Sequence, residues 1–198
     1  MRLVLAEDLY EDPRAEISQG DILEKLPSVY LAPPLQALFA RPDGSMAVES
    51  EDHPGFNDKK GQPVVASCKR ARALLLSYDC EIDKPAVKYW IVAPIVPLSF
   101  ISGSSHSDVK KNKVFSLLYL PSYRDILEES VLVLNQITTL DREFVQRTRR
   151  ILSLSDIGRR ALYAQYVRWL TRWQLSEIRC PNCNVSFNAS DGMTVRPD

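Results

Sequence analysis

Residues 129–141 read ESVLVLNQITTLD, a run of β-branched and leucine side chains that ends in threonines and an acid. Its composition is that of a strand, and its place after four similar runs makes it the fifth piece of a β-rich core. Those four are PVVASC (63–68), RALLLSY (72–78), VKYWIVAPIVPL (87–98) and VFSLLYLP (114–121), each bounded by turn residues or charges. Upstream, ISQGDILEKLPSVYL (17–31) alternates briefly around Gly20 and then meets a PSVYLAPP break, which predicts an opening strand followed by a loop. Between the third and fourth runs, SGSSHSDVKKNK (102–113) has the polar, small-residue composition of a mobile loop.

The period changes after residue 141. Ile157, Leu162, Tyr166, Trp169, Leu170 and Trp173 recur as one broad helical face requires, and Ser155 stands where an N-cap belongs. A shorter helix is predicted over 142–152, with Phe144, Val145 and Ile151 inward. The stretch 33–62, with Pro33, Pro34, Pro42 and Pro54 and many acids, reads as a long surface insertion with a short helix over 35–40. The organisation expected is an arm over 1–16, a β core over 17–141 with that insertion, helices over 142–175 and a tail over 176–198.

The chain has 198 residues, 45% of them hydrophobic, with 25 bases and 25 acids. These are globular proportions, which exclude collagen-like, disordered and disulfide-scaffold classes. Its apolar runs fall far short of the roughly 20 residues of a membrane span. The acidic N-terminal stretch lacks the features of a secretory signal, so the expectation is a cytoplasmic protein with reduced cysteines and no membrane partner.

The neutral total conceals an asymmetry. Residues 1–60 carry 12 acids against 6 bases, whereas 142–179 carry nine arginines against three acids. Two readings fit: a basic surface for nucleic acid or an acidic partner, or pairing of the acidic half with the basic half inside the fold.

The order of segments resembles the MazF/PemK toxin family. The motifs are Gly20-Asp21-Ile22-Leu23, Ala73-Leu74-Leu75-Leu76-Ser77, Ile91-Val92-Ala93-Pro94-Ile95 and the 131–141 segment, followed by a closing helix. The likeness spans about residues 17–175. It implies an α+β fold built on an SH3-like antiparallel β-barrel, a homodimer, cleavage of single-stranded RNA, and a toxin–antitoxin or phage-defence setting. Carried over position by position, the acid after the opening glycine is Asp21. The family arginine falls on Ala71, between Arg70 and Arg72; its hydroxyl residue falls on Val96; and the acid that opens its D-Q segment falls on the uncharged Asn135. Three of the four positions are lost or displaced, so the resemblance implies the fold more strongly than the nuclease.

Three functional expectations follow. The first is a catalytically diverged module that binds nucleic acid or a protein partner. The second is an active endoribonuclease that rebuilt its site from Asp21, Arg70 or Arg72 and Ser77. The third is a protein-interaction subunit in which the proline-rich insertion docks a partner. Candidate nucleic-acid contacts are Arg159 and Arg160, interleaved with aromatics, and Lys110 and Lys111 in the polar loop.

Tyr78-Asp79-Cys80-Glu81-Ile82-Asp83 places a thiol among three carboxylates, which an extended chain would turn to one side as a divalent-metal site or leave as a solvated acidic turn. Cys180-Pro181-Asn182-Cys183 is half of a four-ligand zinc site. Two tails in a dimer could complete it, but the expectation is no cofactor.

Overall fold

A glycine opens the main sheet. Gly20 sits at φ +91°, in the left-handed region, with its ideal Cβ position only 3.1 Å from the Leu154 Cβ. Its N–H donates to the Leu75 carbonyl and its own carbonyl accepts from Leu154, so the turn is tied to two strands distant in sequence.

The computed structural model describes residues 6–30, 36–41, 43–50, 64–171, 178–179 and 186–187. In chain order the strands begin with β1 (Tyr10–Glu11), β2 (Asp21–Tyr30), β3 (Gln36–Ala40), β4 (Met46–Ser50), β5 (Val64–Val65) and β6 (Ser67–Leu75). Helix α1 (Asp79–Ile82), β7 (Tyr89–Pro97), α2 (His106–Lys110), β8 (Leu117–Leu120), β9 (Ser130–Val133) and β10 (Thr138–Asp141) follow. The remainder is α3 (Arg142–Arg147), β11 (Arg150–Leu154), α4 (Asp156–Thr171) and a short pairing of β12 (Ile178–Arg179) with β13 (Ser186–Phe187). Two compact units result, Met1–Leu26 with Ala71–Asp198, and Pro27–Arg70.

In the first unit the strands run in the order β1-β11-β2-β6-β7-β9-β8, with β10 also along β7. Neighbouring strands such as β6 and β7, or β7 and β9, pair antiparallel, and the path has two ends, so the sheet is open. The fold is therefore α+β and mostly antiparallel. Side chains alternate across the sheet: Ile22, Leu74, Ala93 and Ile95 join one core with Leu152 and Leu162, while Leu23, Leu75, Trp90 and Val92 join a second with Ile82 and Val145. Both faces are covered, which is why the runs at 73–76 and 90–93 are continuously apolar.

The 129–141 run is one edge of β7 broken in two. Leu132 faces Ile95 and Thr138 faces Val92, and the surplus residues leave the ladder as a 3-10 turn over Leu134–Gln136. The helix expected over 142–152 ends at Arg147. Residues Arg150–Leu154 instead form β11, which fills the gap between β1 and β2. A strand with partners on both edges gains more there than a third helical turn would. Val145 is inward as expected, whereas Phe144 is exposed and Ile151 is only half-buried.

Helix α4 begins as its sequence indicates, with Ser155 Oγ accepting from the Gly158 N–H at 3.2 Å. Leu170 is an exception to the expected apolar stripe and is exposed. Gly158 is buried against the Leu9 carbonyl, and an added Cβ would lie 2.3 Å from that oxygen. Helix propensity alone favours Gly158→Ala by about 1 kcal/mol. A contact that short cannot persist, so the variant is expected to lose about 1–3 kcal/mol in urea unfolding. A gain in stability would show that α4 can slide off the N-terminal turn.

The second unit overturns the helix expected over 35–40. Its three strands are ordered β4-β3-β5, and Gln36–Ala40 is the central one. The β3–β4 turn is built by Asp43, whose carboxylate accepts from Ser45 N and Oγ, and by Gly44 at φ +82°. The polar 102–113 stretch likewise contains α2, anchored by the fully buried Val109 and by Asn112 Oδ1, which accepts from the Tyr119 N–H. Among the described residues no helix is long and apolar enough to cross a membrane.

Candidate functional site

Asp21 begins β2 immediately after the Gly20 turn, and this placement fixes its role. Its side chain is fully buried. One carboxylate oxygen accepts from the Ser18 N–H at 2.9 Å, the other accepts from the Ser153 hydroxyl, and Arg150 Nη1 stands 3.4 Å away. The same guanidinium donates to the carbonyls of Arg14, Ala15 and Glu16. Asp21 is thus the buried end of a clamp that holds the N-terminal segment on β11.

Of the other carried-over positions, Arg72 is half-buried on β6 opposite Ile95, and Arg70 is exposed in the second unit. Val96 lies on β7 and Asn135 is exposed in the 3-10 turn. Ser77 is buried, with its Oγ accepting from the Ile91 N–H at 2.8 Å. In the first unit no acid, base and hydroxyl from this set converge on an accessible point among the described residues.

Ser77 instead borders a cleft of about 90 Å³ between the β6 end, β7 and α4. Leu76, Ile91 and Leu162 make its apolar side. Three phenol rings line it, Tyr78 from the residue before α1 and Tyr163 and Tyr166 from α4. Tyr78 and Tyr163 lie nearly parallel, with centroids 6.2 Å apart and planes within 11°. The buried Gln19 fixes this wall: its N–H donates to Asp79 Oδ1 at 2.7 Å, its side-chain amide donates to the Leu76 carbonyl at 2.7 Å, and its amide oxygen accepts from the Tyr163 hydroxyl. Burial, reinforced by Tyr78 and Asp79, pushes the Tyr163 phenol above its ordinary pKa, so it stays a proton donor to Gln19. Among the described residues Glu81 is the one carboxylate that lines the cleft.

No protein-family model matches the chain, and no curated protein is detectably similar to it.

The acidic string at 79–83 is not extended. Asp79–Ile82 forms one helical turn, which sends Ile82 into the second core and leaves Cys80 exposed as a free thiol. That geometry separates the carboxylates that a strand would have aligned. Among the described residues, no group of three His, Cys, Asp or Glu side chains is placed to hold a metal. Cys180 and Cys183 lie outside the described residues, as do Trp173 and Arg172.

Arg159 points inward, contrary to the outward face that nucleic-acid contact needs. Its side chain is 11% exposed and lies 3.4 Å from Glu11, 3.7 Å from Asp79 and 3.7 Å from Asp156. The apolar face of α4 is narrow enough that an arginine beside it can enter the interior when carboxylates from two other segments await it. Arg160 is half-buried. Arg149 and Arg150 also face acids of the N-terminal half, Glu24 at 3.8 Å and Asp21. Internal pairing therefore accounts for these three arginines of the basic stretch.

Lys110 is bound to Glu129 at 2.6 Å, and Tyr119 donates its hydroxyl to the same carboxylate. Burial works to raise the Glu129 carboxyl, but the hydrogen bonds from Lys110 and Tyr119 outweigh it and hold the group below the ordinary range. Lys111 is exposed at the end of α2.

Nothing in the sequence signals the part played by Gln19; Glu81 stands out there only as a possible metal ligand in the 78–83 string, and Tyr163 and Tyr166 only as aromatics on a helix. The cleft's one shared signal is a tyrosine at the end of a β run and two more spaced three apart on α4.

Proposed function

We propose that the chain is a MazF/PemK-like module, related in plan to the SH3-like barrel, that does not cleave RNA and works as a binding module through the tyrosine-walled cleft. The observation that carries this reading is the complete burial of Asp21. A general acid or base must come within hydrogen-bond reach of the proton it moves, and this carboxylate is occupied by Ser18, Ser153 and Arg150. Val96 and Asn135 offer neither the hydroxyl nor the charge that the family uses. A protein partner is favoured over nucleic acid because Arg159 is paired internally and the described residues line the cleft with a carboxylate and no base.

Incubation with labelled single-stranded RNA is the direct test, read on a denaturing gel across a range of divalent ions. Intact RNA at all times is the expected result. Cleavage that persists through purification and disappears in Arg72→Ala, with that variant still folded by circular dichroism, would establish the endoribonuclease reading instead. RNA binding that weakens steeply with salt would move the reading to a nucleic-acid module.

A further inference from the structure

We infer that the cleft beside α1 receives the cationic head of a lysine or arginine side chain presented by a protein partner, an inference that rests on the binding-module reading above. Tyr78, Tyr163 and Tyr166 all line one small space, and the Tyr78 and Tyr163 rings lie nearly parallel in its wall with centroids 6.2 Å apart. A tyrosine face carries negative quadrupole charge and attracts an organic cation more strongly as water is excluded. Glu81 adds a full negative charge at the same place, and no ion pair reaches it among the described residues. Among the described residues no lysine, arginine or histidine lines the cleft, and the neighbouring Arg159 is held on Glu11, Asp79 and Asp156.

Size narrows the occupant. About 90 Å³ is well below the roughly 300–1,000 Å³ of small-molecule pockets, so the cleft takes the end of a side chain and not a nucleotide. The site is also assembled before any partner arrives. Gln19 holds Tyr163 by its hydroxyl and holds the start of α1 through Asp79, so little ordering remains to be done on binding. An anion would meet the Glu81 carboxylate, which is of the wrong sign, beside three aromatic side chains.

The test is a titration of protein carrying ¹³C-labelled tyrosine rings, followed by NMR at constant ionic strength, with tetramethylammonium chloride as the cationic probe and tert-butanol as the neutral one of similar shape. Saturable shifts of the Tyr78 and Tyr163 rings by tetramethylammonium are expected, with tert-butanol about tenfold weaker. Glu81→Gln should weaken the cation about fivefold at unchanged shape, on the scale of one partly screened charge. Tyr78→Ala, at an exposed ring, should abolish the response of Tyr163 without unfolding the chain.

Equal response to both probes would make the cleft an apolar slot and overturn the inference. So would shifts caused by inorganic phosphate or oligouridylate in place of tetramethylammonium, or no response to any probe. The RNA gel is read separately. A chain that leaves RNA intact yet ignores the cation loses only this inference, and a chain that cleaves RNA loses the binding-module reading whatever its cleft does.

Discussion

Asp21→Ala should lose about 3–5 kcal/mol of unfolding free energy, the range for removing one partner of a buried charged network. Three partners are stranded at once: the Ser18 N–H, the Ser153 hydroxyl and the Arg150 guanidinium. Arg150 keeps its backbone carbonyls at 14–16, so the N-terminal segment is weakened but not released. Asp21→Asn retains an acceptor for Ser18 and a group that can bond Ser153, and it should cost only about 1–2 kcal/mol. Urea unfolding of the two variants against the parent measures the contrast. A loss below about 1 kcal/mol for alanine would mean that the carboxylate holds nothing together, and would return Asp21 to the list of groups free for chemistry.

Trp90→Ala carries the second large effect, also about 3–5 kcal/mol, because the side chain is fully buried in the second core and no neighbour can fill its space. Trp90→Phe should behave quite differently. The indole N–H has no hydrogen-bond partner among the described residues, so its loss removes a desolvation penalty of about 1–3 kcal/mol. Arg142, whose guanidinium lies 5.2 Å from the indole, keeps an aromatic face. The phenylalanine variant is therefore expected within about 1.5 kcal/mol of the parent. Equal losses for the two variants, measured by thermal or urea unfolding, would show that the full volume of the indole, and not merely an aromatic ring, is needed at this place in the core.

Much of the strand pattern was legible because it depends on local chemistry. The 87–98 run became β7 and Ser155 caps α4 as its type and place indicate, while the opening strand, β2, runs on through residues 27–30, which were expected to begin a loop. What escaped depends on partners elsewhere in the chain. Residues 150–154 fit a helix in isolation and form a strand because β1 and β2 wait on either side. The helix expected over 35–40 gives way to β3 because Asp43-Gly44 just beyond it is a hairpin turn signal, and the turn ties Arg41 to Ser45.

The candidate site was less legible for the same reason. Asp21 drew attention by its position in a motif, yet its burial follows from Ser153 and Arg150, more than a hundred residues away. Arg159 looked like a surface arginine until Glu11 and Asp79 were placed around it. The three tyrosines of the cleft come from two segments that nothing in their spacing connects.

The pairing of β1 with β11 sets a condition on biosynthesis. Tyr10 lies against Leu154, and Arg150 grips carbonyls some 134–136 positions earlier. As the ribosome extends the chain, the first strands emerge long before the one that must lie between them. Until β11 appears, β2 presents an unpaired edge and the Asp21 carboxylate has neither of its long-range partners. Such non-local closure is slow, and an open strand edge is what holdase chaperones and aggregation both recognise. The nascent protein consequently has a vulnerable interval that ends only after Leu154, the last residue of β11, has been synthesised.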